Sequence, residues 1–200
     1  MALPEGLITL PMDEPVWERC FGVFPLLLIG TRETDGGHDL APRHMAMPLG
    51  WDNWFGFMCS PAQATYRNAV RERCFTVSYP RPEQVVQVSL AAAPRSDPHH
   101  KPDLAALEVF PAQTVDGVLV AGCYFWLECR LEQVVKDLGT HCLLIGRISA
   151  AHVHPDALRD PDREDNELIH GAPLLAYLHP GRFAVLDQSQ HFPYPLGFRR

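Results

Sequence analysis

Residues 40–68 read LAPRHMAMPLGWDNWFGFMCSPAQATYRN, and the order of features in them decides the architecture. The segment begins extended, turns through Pro48-Leu49-Gly50, runs apolar from Trp54 to Met58 and stops at Cys59-Ser60-Pro61. That stop has the chemistry of a helix start. Ser60 is a good N-cap, Pro61 suits the first helical position, and Gln63 stands where a capping box places Glu or Gln. Tyr66, Ala69 and Val70 follow at helical spacing. Strand, turn, strand and helix N-terminus thus come in direct succession. The helix start carries Thr65, with Arg67, Arg71 and Arg73 close behind. Free N–H groups and a partial positive charge at such a terminus suit an anion such as a phosphate. For most of the three arginines a solvated helix face is the plainer reading.

Upstream, Leu26 to Thr31 is a short apolar run, and Asp35-Gly36-Gly37 is a strong turn signal, so His38 to Met47 reads as a returning strand. Residues 1–20 are proline-rich and acidic, with Trp17 and Phe21 expected to pack the end of that segment onto the body. Downstream, Cys74 to Tyr79 alternates, Phe75, Val77 and Tyr79 against Thr76 and Ser78, as a half-buried strand does. Pro82 opens a helix to Ala92 with Val85, Val86 and Ser89 or Leu90 inward, and Pro94 to Asp103 is a polar loop. Val118 to Val135 is long for one strand and is expected to bend near Gly122 and serve two parts of a sheet. Lys136 to Thr140 reads as a turn, His141 to His152 as the next strand, and Asp156 to Glu167 as a charged connection. Leu174 to Leu178 and Phe183 to Leu186 flank a turn at Pro180-Gly181. The aromatic, proline-rich tail 188–200 is a candidate to wrap a neighbouring subunit. Many short strands and few helices make a β-barrel the first choice; a doubly wound α/β fold needs an alternation that the second half lacks.

The chain has 200 residues, is 46% hydrophobic and carries a formal charge of -7, enough apolar content for one domain with a sizeable core. The acidic balance argues against a nucleic-acid binder. Six cysteines form no C-x-x-C pair and lie mostly in apolar runs, which fits a reducing compartment. The N-terminus lacks a basic region, and Val23 to Gly30 is far short of the ~20 residues of a spanning helix, so no membrane association and a cytoplasmic location are expected.

The ordered set Leu26 to Thr31, Ala41-Pro42, Trp54 to Cys59, Thr65 with Asn68, and Gly139-Thr140-His141 before Leu143 to Ile148 resembles the flavin reductase-like family. The resemblance covers roughly residues 20–185 within a single domain spanning 1–200. It implies a mainly β fold, the FMN-binding split β-barrel of Greek-key type with a few flanking helices, and a homodimer with FMN between subunits. It implies an NAD(P)H:flavin oxidoreductase passing hydride from NADH or NADPH to flavin N5, with a flavin-dependent oxygenase as one acceptor of reduced flavin. The alternative is a flavoprotein that keeps FMN and carries electrons or binds a ligand without nicotinamide turnover.

Carried onto this chain, the resemblance places the phosphate at Cys59, Ser60, Gln63, Ala64, Thr65 and Asn68, and the isoalloxazine edge along Arg43, His44, Met45 and Ala46. His44 and Met45 stand near a position where family members carry Ser. His141 matches a family His near the reacting face of the flavin, after Thr140 where the family has Asp. Each assignment has a plainer counterpart. Ser60 caps the helix, Thr65 bonds within it, Met45 and Met47 pack, and Trp51 and Trp54 are core or interface aromatics. His141 equally suits a strand end bonded to water or backbone. Hydride transfer needs no protein acid or base, because the chemistry belongs to the cofactor. His152 and His154, with His99 or His100, make a metal site imaginable, yet no carboxylate or Cys stands at a diagnostic spacing. Walker A, Gly-x-Gly-x-x-Gly and Gly-x-Ser-x-Gly motifs are all absent.

Overall fold

The computed structural model describes residues 4–95 and 101–198, apart from the side chains of residues 102 and 103. Twelve strands are described: β1 (Gly22–Pro25), β2 (Leu27–Arg32), β3 (His38–Arg43), β4 (Ala46–Pro48), β5 (Trp54–Cys59), β6 (Cys74–Tyr79), β7 (Val109–Pro111), β8 (Val118–Val120), β9 (Phe125–Leu138), β10 (His141–Val153), β11 (Leu174–His179) and β12 (Arg182–Leu186). Three α-helices join them: α1 (Ala64–Glu72), α2 (Val85–Leu90) and α3 (Asp165–Gly171).

Seven strands form one sheet in the order β3-β2-β6-β9-β10-β5-β4, with every neighbouring pair antiparallel. Its two edges, β3 and β4, are consecutive in the chain. From Arg43 to Ala46 there are three Cα steps, about 11 Å at most. A sheet whose edges lie that close must curl into a barrel, and since β3 and β4 are not paired with each other, the barrel is split there. The run His38 to Met47, expected as one strand, is therefore two strands on opposite edges. The break falls at His44-Met45, where the Ala46 N–H turns back to the His44 carbonyl at 3.0 Å and the Met58 N–H reaches the Met45 carbonyl at 2.8 Å.

Phe55, Phe57, Phe75, Val77, Leu127, Leu131 and Leu144 fill the barrel, and Ala69 of α1 joins them. A second core lies outside it, where the β7–β8 hairpin and α2 cover the sheet with Leu119, Val120, Val88 and Ala91 against Leu28 and Trp126. This cover corrects the half-buried reading of β6. Thr76 and Ser78 are buried, the Thr76 hydroxyl donating to the Val118 carbonyl at 2.6 Å and the Ser78 hydroxyl accepting from the Val120 N–H at 3.1 Å. Gly30 permits that approach, because a Cβ there would meet Thr76 Oγ1 at 2.3 Å. Val118 to Val135 is likewise not one bent strand. Gly122, at φ +75°, turns the chain between β8 and β9, which belong to different sheets.

Other expectations shift as well. The segment after Pro82 begins as a 3₁₀ turn, Pro82–Gln84, and α2 turns Val88 inward while Val86, Ser89 and Leu90 are exposed. Strand β9 runs to Leu138, so the expected turn at Lys136 shrinks to Gly139-Thr140. The charged connection after Asp156 ends in α3. Trp17 and Phe21 do not pack down: they are 58% and 77% exposed. β1, β11 and β12 form a separate three-stranded sheet. The tail lies along its own α3, tied by the Ser189 N–H to Asn166 Oδ1 at 2.7 Å, with Tyr194 stacked on Phe198 and Phe192 tilted against Tyr194. Of the cysteines, Cys20 is exposed and the other five are buried and free. Among the described residues no helix is long and apolar enough to cross a membrane.

Glu128, in the middle of β9, is fully buried. Burial alone raises a carboxyl's pKa. The Gln113 N–H, the Thr114 hydroxyl and N–H, and His152 all bond this carboxylate and bring its pKa down to about 2 from the ordinary 4.5. The ionised form thus pins the loop after β7 to the barrel. Its contribution is complete above pH 4.5 and is lost as pH falls toward 2; two to three units correspond to about 3 kcal/mol. We expect Glu128→Gln to cost stability near neutrality, with the gap to wild type closing between pH 4.5 and 2. Urea midpoints across that range decide this, and a gap constant with pH would refute it.

Candidate functional site

The helix after β5 starts three residues later than Pro61, and its N-cap is Gln63, without a side-chain cap bond. Ser60 and Gln63 make half of a capping box, across the preceding turn. The Ser60 hydroxyl takes the Ala62 N–H at 3.3 Å, and Gln63 Oε1 takes the Ser60 N–H at 3.4 Å. The delay leaves the first turn of α1 facing a pocket of about 470 Å³. β3 supplies one wall through Asp39, Ala41, Pro42 and Arg43; residues 62–65 and Arg67 supply the second, and residues 91–95 with Lys101 the third. Arg67 N–H, bonded to the Gln63 carbonyl at 3.3 Å, is where the intrahelical ladder begins. The N–H groups of Ala64, Thr65 and Tyr66 therefore have no acceptor within the helix.

Arg43 is the centre of the pocket's polar contacts. Its Nη2 reaches Gln63 Oε1 at 3.0 Å, Thr65 Oγ1 at 3.1 Å and Cys59 Sγ at 3.5 Å, while Nη1 donates to the Pro42 carbonyl at 2.9 Å. Its buried Nε has no hydrogen-bond partner. Burial pushes the Cys59 thiol up, against the pull of Arg43, so it stays protonated and donates to Gln63 Oε1 at 3.2 Å. Thr65 is buried and donates its hydroxyl proton to Asp39 Oδ2 at 3.2 Å. Arg67 Nη1 donates to the Ala62 carbonyl at 2.5 Å. Arg95 pairs with Glu33 and Asp39, and Lys101 with Asp39.

Arg43, Gln63, Ala64 and Thr65 are thus brought together, with Cys59 and Ser60 just behind them. Asn68 faces elsewhere: its amide donates to Thr31 Oγ1 at 3.3 Å and its carbonyl accepts from Arg71 at 2.9 Å. Arg71 is spent on Asn68, Glu72 and the Arg32 carbonyl, and Arg73 is the left-handed C-cap of α1, so of the three helix arginines Arg67 alone lines this pocket. His44 turns away from the pocket and stacks on Tyr177 at 4.3 Å. Burial, then His179 and Arg43 nearby, lower its pKa, which keeps it neutral at pH 7. Ala46 is buried in the barrel, and Met45 and Met47 are exposed. Trp51 is exposed at the β4–β5 turn, and Trp54 stacks under Arg147.

His141 starts β10 and is bonded to the Thr140 hydroxyl at 2.9 Å. Because Cys142 pairs with Cys59, His141 lies at the same end of the sheet as Ser60, but it does not line the pocket. His152 is bonded to Glu128 and His154 to Asp156; His99 and His100 lie outside the described residues. Among the described residues no group of three or more His, Cys, Asp or Glu is placed to hold a metal. An apolar slot of about 270 Å³, between α2 and the β11–β12 turn, adjoins the pocket and shares Pro42, Arg43 and Ala92 with it.

Residues 23–184 match the model of the flavin reductase like domain. The chain belongs to that family. The family is one of flavin oxidoreductases, and its split barrel is the fold described above. A 26% identical protein of Methanothermobacter thermautotrophicus, itself uncharacterized, aligns over 84% of this chain and 77% of its own length. Nitrilotriacetate monooxygenase component B from Bacillus cereus superposes with a TM-score of 0.82 at 17% identity, over 94% of this chain and 100% of that one. A protein with a split barrel domain from Shewanella frigidimarina gives 0.76 at 18% identity, over 87% of each chain. At those identities the two structures share the fold with this flavin reductase-like chain and carry no residue roles to it.

Asp39, Arg95 and Lys101, with Glu33 behind Arg95, are residues of the pocket that sequence reading passes over. One signal was available: Asp39 breaks the apolar run of a strand next to Leu40 and Ala41, and a charge on a buried strand needs partners.

Proposed function

We propose that this chain is an NAD(P)H-dependent flavin reductase that holds FMN with its phosphate in the pocket at the N-terminus of α1. The observation that carries the reading is the charge of that pocket. Arg43, Arg67, Arg95 and Lys101 line it, and two buried carboxylates, Asp39 and Glu33, answer two of the four. Among the described residues two positive charges remain unmatched, together with the N–H groups of Ala64 and Thr65 at the helix start and the unpartnered Arg43 Nε. A phosphate monoester is close to a dianion at pH 7, its second pKa being about 6. The donor set fits such a group. Once bound, FMN supplies the hydride-accepting centre, and the protein supplies position and electrostatics.

In this reading Gln63 and Thr65 act through Arg43, which they hold in place. The stretch Arg43 to Ala46 lies along the split, where the barrel edge is open to the flavin ring. We expect Gln63→Ala with Thr65→Ala to weaken FMN binding about tenfold or more with the fold intact, since a hydrogen bond to a charged group contributes about 1.5–3 kcal/mol. Unchanged affinity by flavin fluorescence titration would put the phosphate elsewhere.

We further propose a homodimer. The chain exposes 12789 Å², against about 9,400 Å² for a compact monomer of this mass. Exposed apolar side chains accompany the excess, among them Val23, Phe183 and Val185 on the small sheet and Val135 and Leu138 on the β9–β10 hairpin. Large apolar side chains left exposed in this way suit an interface. His141, outside its own pocket on that same hairpin, would then approach a second copy's flavin. Light scattering should give twice the chain mass; a monomer that binds flavin fully would contradict the dimer.

The reaction itself is tested by anaerobic mixing of the FMN-loaded protein with NADH and with NADPH. Rapid bleaching of the flavin band, slowed by His141→Ala, is expected with at least one of them. If dithionite bleaches the band and neither nucleotide does, the protein is an electron carrier instead, and the reduced flavin does not serve a nicotinamide-driven partner oxygenase.

A further inference from the structure

Asp39 is a buried charge for which the reductase reading states no purpose. It sits on β3 with 2% of its side chain exposed, directly in the wall of the anion pocket. A carboxylate in a site for an anion is repulsive toward the ligand, so its presence needs an explanation. Its Oδ1 lies 3.0 Å from both Arg95 Nη2 and Lys101 Nζ, and its Oδ2 accepts the Thr65 hydroxyl. The Lys101 ammonium donates to the carbonyls of Leu40 and Ala91, each at 3.0 Å, and pairs with Asp39 by charge, although Asp39 Oδ1 accepts no hydrogen bond. Asp39 thus cancels cationic charge inside the pocket while leaving the cations in its wall. Among the described residues two positive charges are unmatched with it, and three without it.

We propose that Asp39 is a specificity-determining residue that sets the charge this pocket accepts, favouring a phosphate monoester dianion over more highly charged phosphates such as nucleoside di- and triphosphates. The proposal rests on the reading that a flavin phosphate occupies the pocket. Its physical basis is Coulombic. One added positive charge in a partly desolvated pocket strengthens binding in proportion to the ligand's charge, so it favours a trianion over a dianion. Screening limits the effect to about tenfold at ordinary salt. The same charge that attracts a second phosphate group would otherwise let abundant nucleotides compete with the flavin.

The test is calorimetric titration of the full chain with inorganic phosphate and with inorganic pyrophosphate at pH 8, where pyrophosphate carries the greater charge. The quantity read is the ratio of the two affinities. Asp39→Asn, which keeps an oxygen for the Thr65 hydroxyl, should raise the pyrophosphate-to-phosphate ratio about tenfold. Arg95→Gln removes one cation and should lower the ratio by a similar factor. The double variant restores the pocket charge and should return the ratio to near the wild-type value, a rescue that a purely structural role for Asp39 would not produce. A folded Asp39→Asn protein with an unmoved ratio overturns the proposal. If that variant does not fold, Arg95→Gln decides, and an unmoved or raised ratio overturns it. Wild-type protein that binds neither ion removes the phosphate reading and this proposal together, whereas phosphate binding with an unmoved ratio removes the charge-selecting role alone.

Discussion

Two residues, His44 and Met45, carry the chain from one edge of a seven-stranded sheet to the other, and the rest of the structure follows from that short span. A bridge of about 11 Å cannot be met by a flat sheet of seven strands about 4.8 Å apart. The sheet has to curl until its edges nearly meet, and the curl creates an interior that Phe55, Phe57 and Phe75 fill. The edges stay unpaired, so a slot of open backbone survives in an otherwise closed barrel. Open edges are usually covered or charged. Here α1 and the charged pocket stand next to one of them, and Arg43 is the last residue of β3 before the crossing. Closing the barrel and placing a cation beside the helix N-terminus are one structural event.

The buried charges divide into two kinds. Glu128 is satisfied by backbone and side-chain donors from the loop after β7, and its role is to hold that loop down. Asp39 and Glu33 are paired by charge with cations that line a pocket, and Asp39 Oδ1 accepts no hydrogen bond. A buried ion pair is weak evidence for stability, because desolvation offsets much of the attraction. Several of them gathered around a cavity that also receives a helix N-terminus are better explained by the cavity's contents than by the fold's need for stability.

Much of this was legible in residues 40–68. The hairpin around Asp35-Gly36-Gly37, the apolar β5, the helix with Thr65 on its first turn, β10 and the last hairpin all follow from alternation and turn chemistry, which are local. The misplacements share a cause that is not local. Nothing in Arg43-His44-Met45-Ala46 signals that its two halves pair with strands on opposite sides of a sheet, since either half is an acceptable strand. Thr76 and Ser78 look solvent-facing because the cover they bond to, β8, lies some 40 residues away in the chain. The capping signal at Ser60 points one turn too early and is only half met, because Ser60 and Gln63 close a turn as readily as they start a helix. Trp17 and Phe21 carry the composition of packed residues, yet both are left mostly exposed.

Thr65 shows how the geometry narrows the chemistry further than residue types can. Its hydroxyl has one proton, which goes to Asp39, and one oxygen, which accepts from Arg43. A hydroxyl committed in both directions does not donate to an anion without breaking the Asp39 bond. Gln63 is committed on its acceptor side alone, its Oε1 accepting from Arg43, the Cys59 thiol and the Ser60 N–H, which leaves the amide N–H groups as donors. The donors left for an anion therefore include the guanidinium groups of Arg43 and Arg67, the Gln63 amide N–H groups and the N–H groups of Ala64 and Thr65, with the Thr65 hydroxyl and the Gln63 carbonyl fixing the first of them. A pocket arranged this way recognises charge and a tetrahedral set of acceptors while offering no contact specific to the body of the ligand. Recognition of that body has to come from the open edge at Arg43 to Ala46 and from the apolar slot beside it, so the residues that hold the barrel split are also the ones that decide what lies along it.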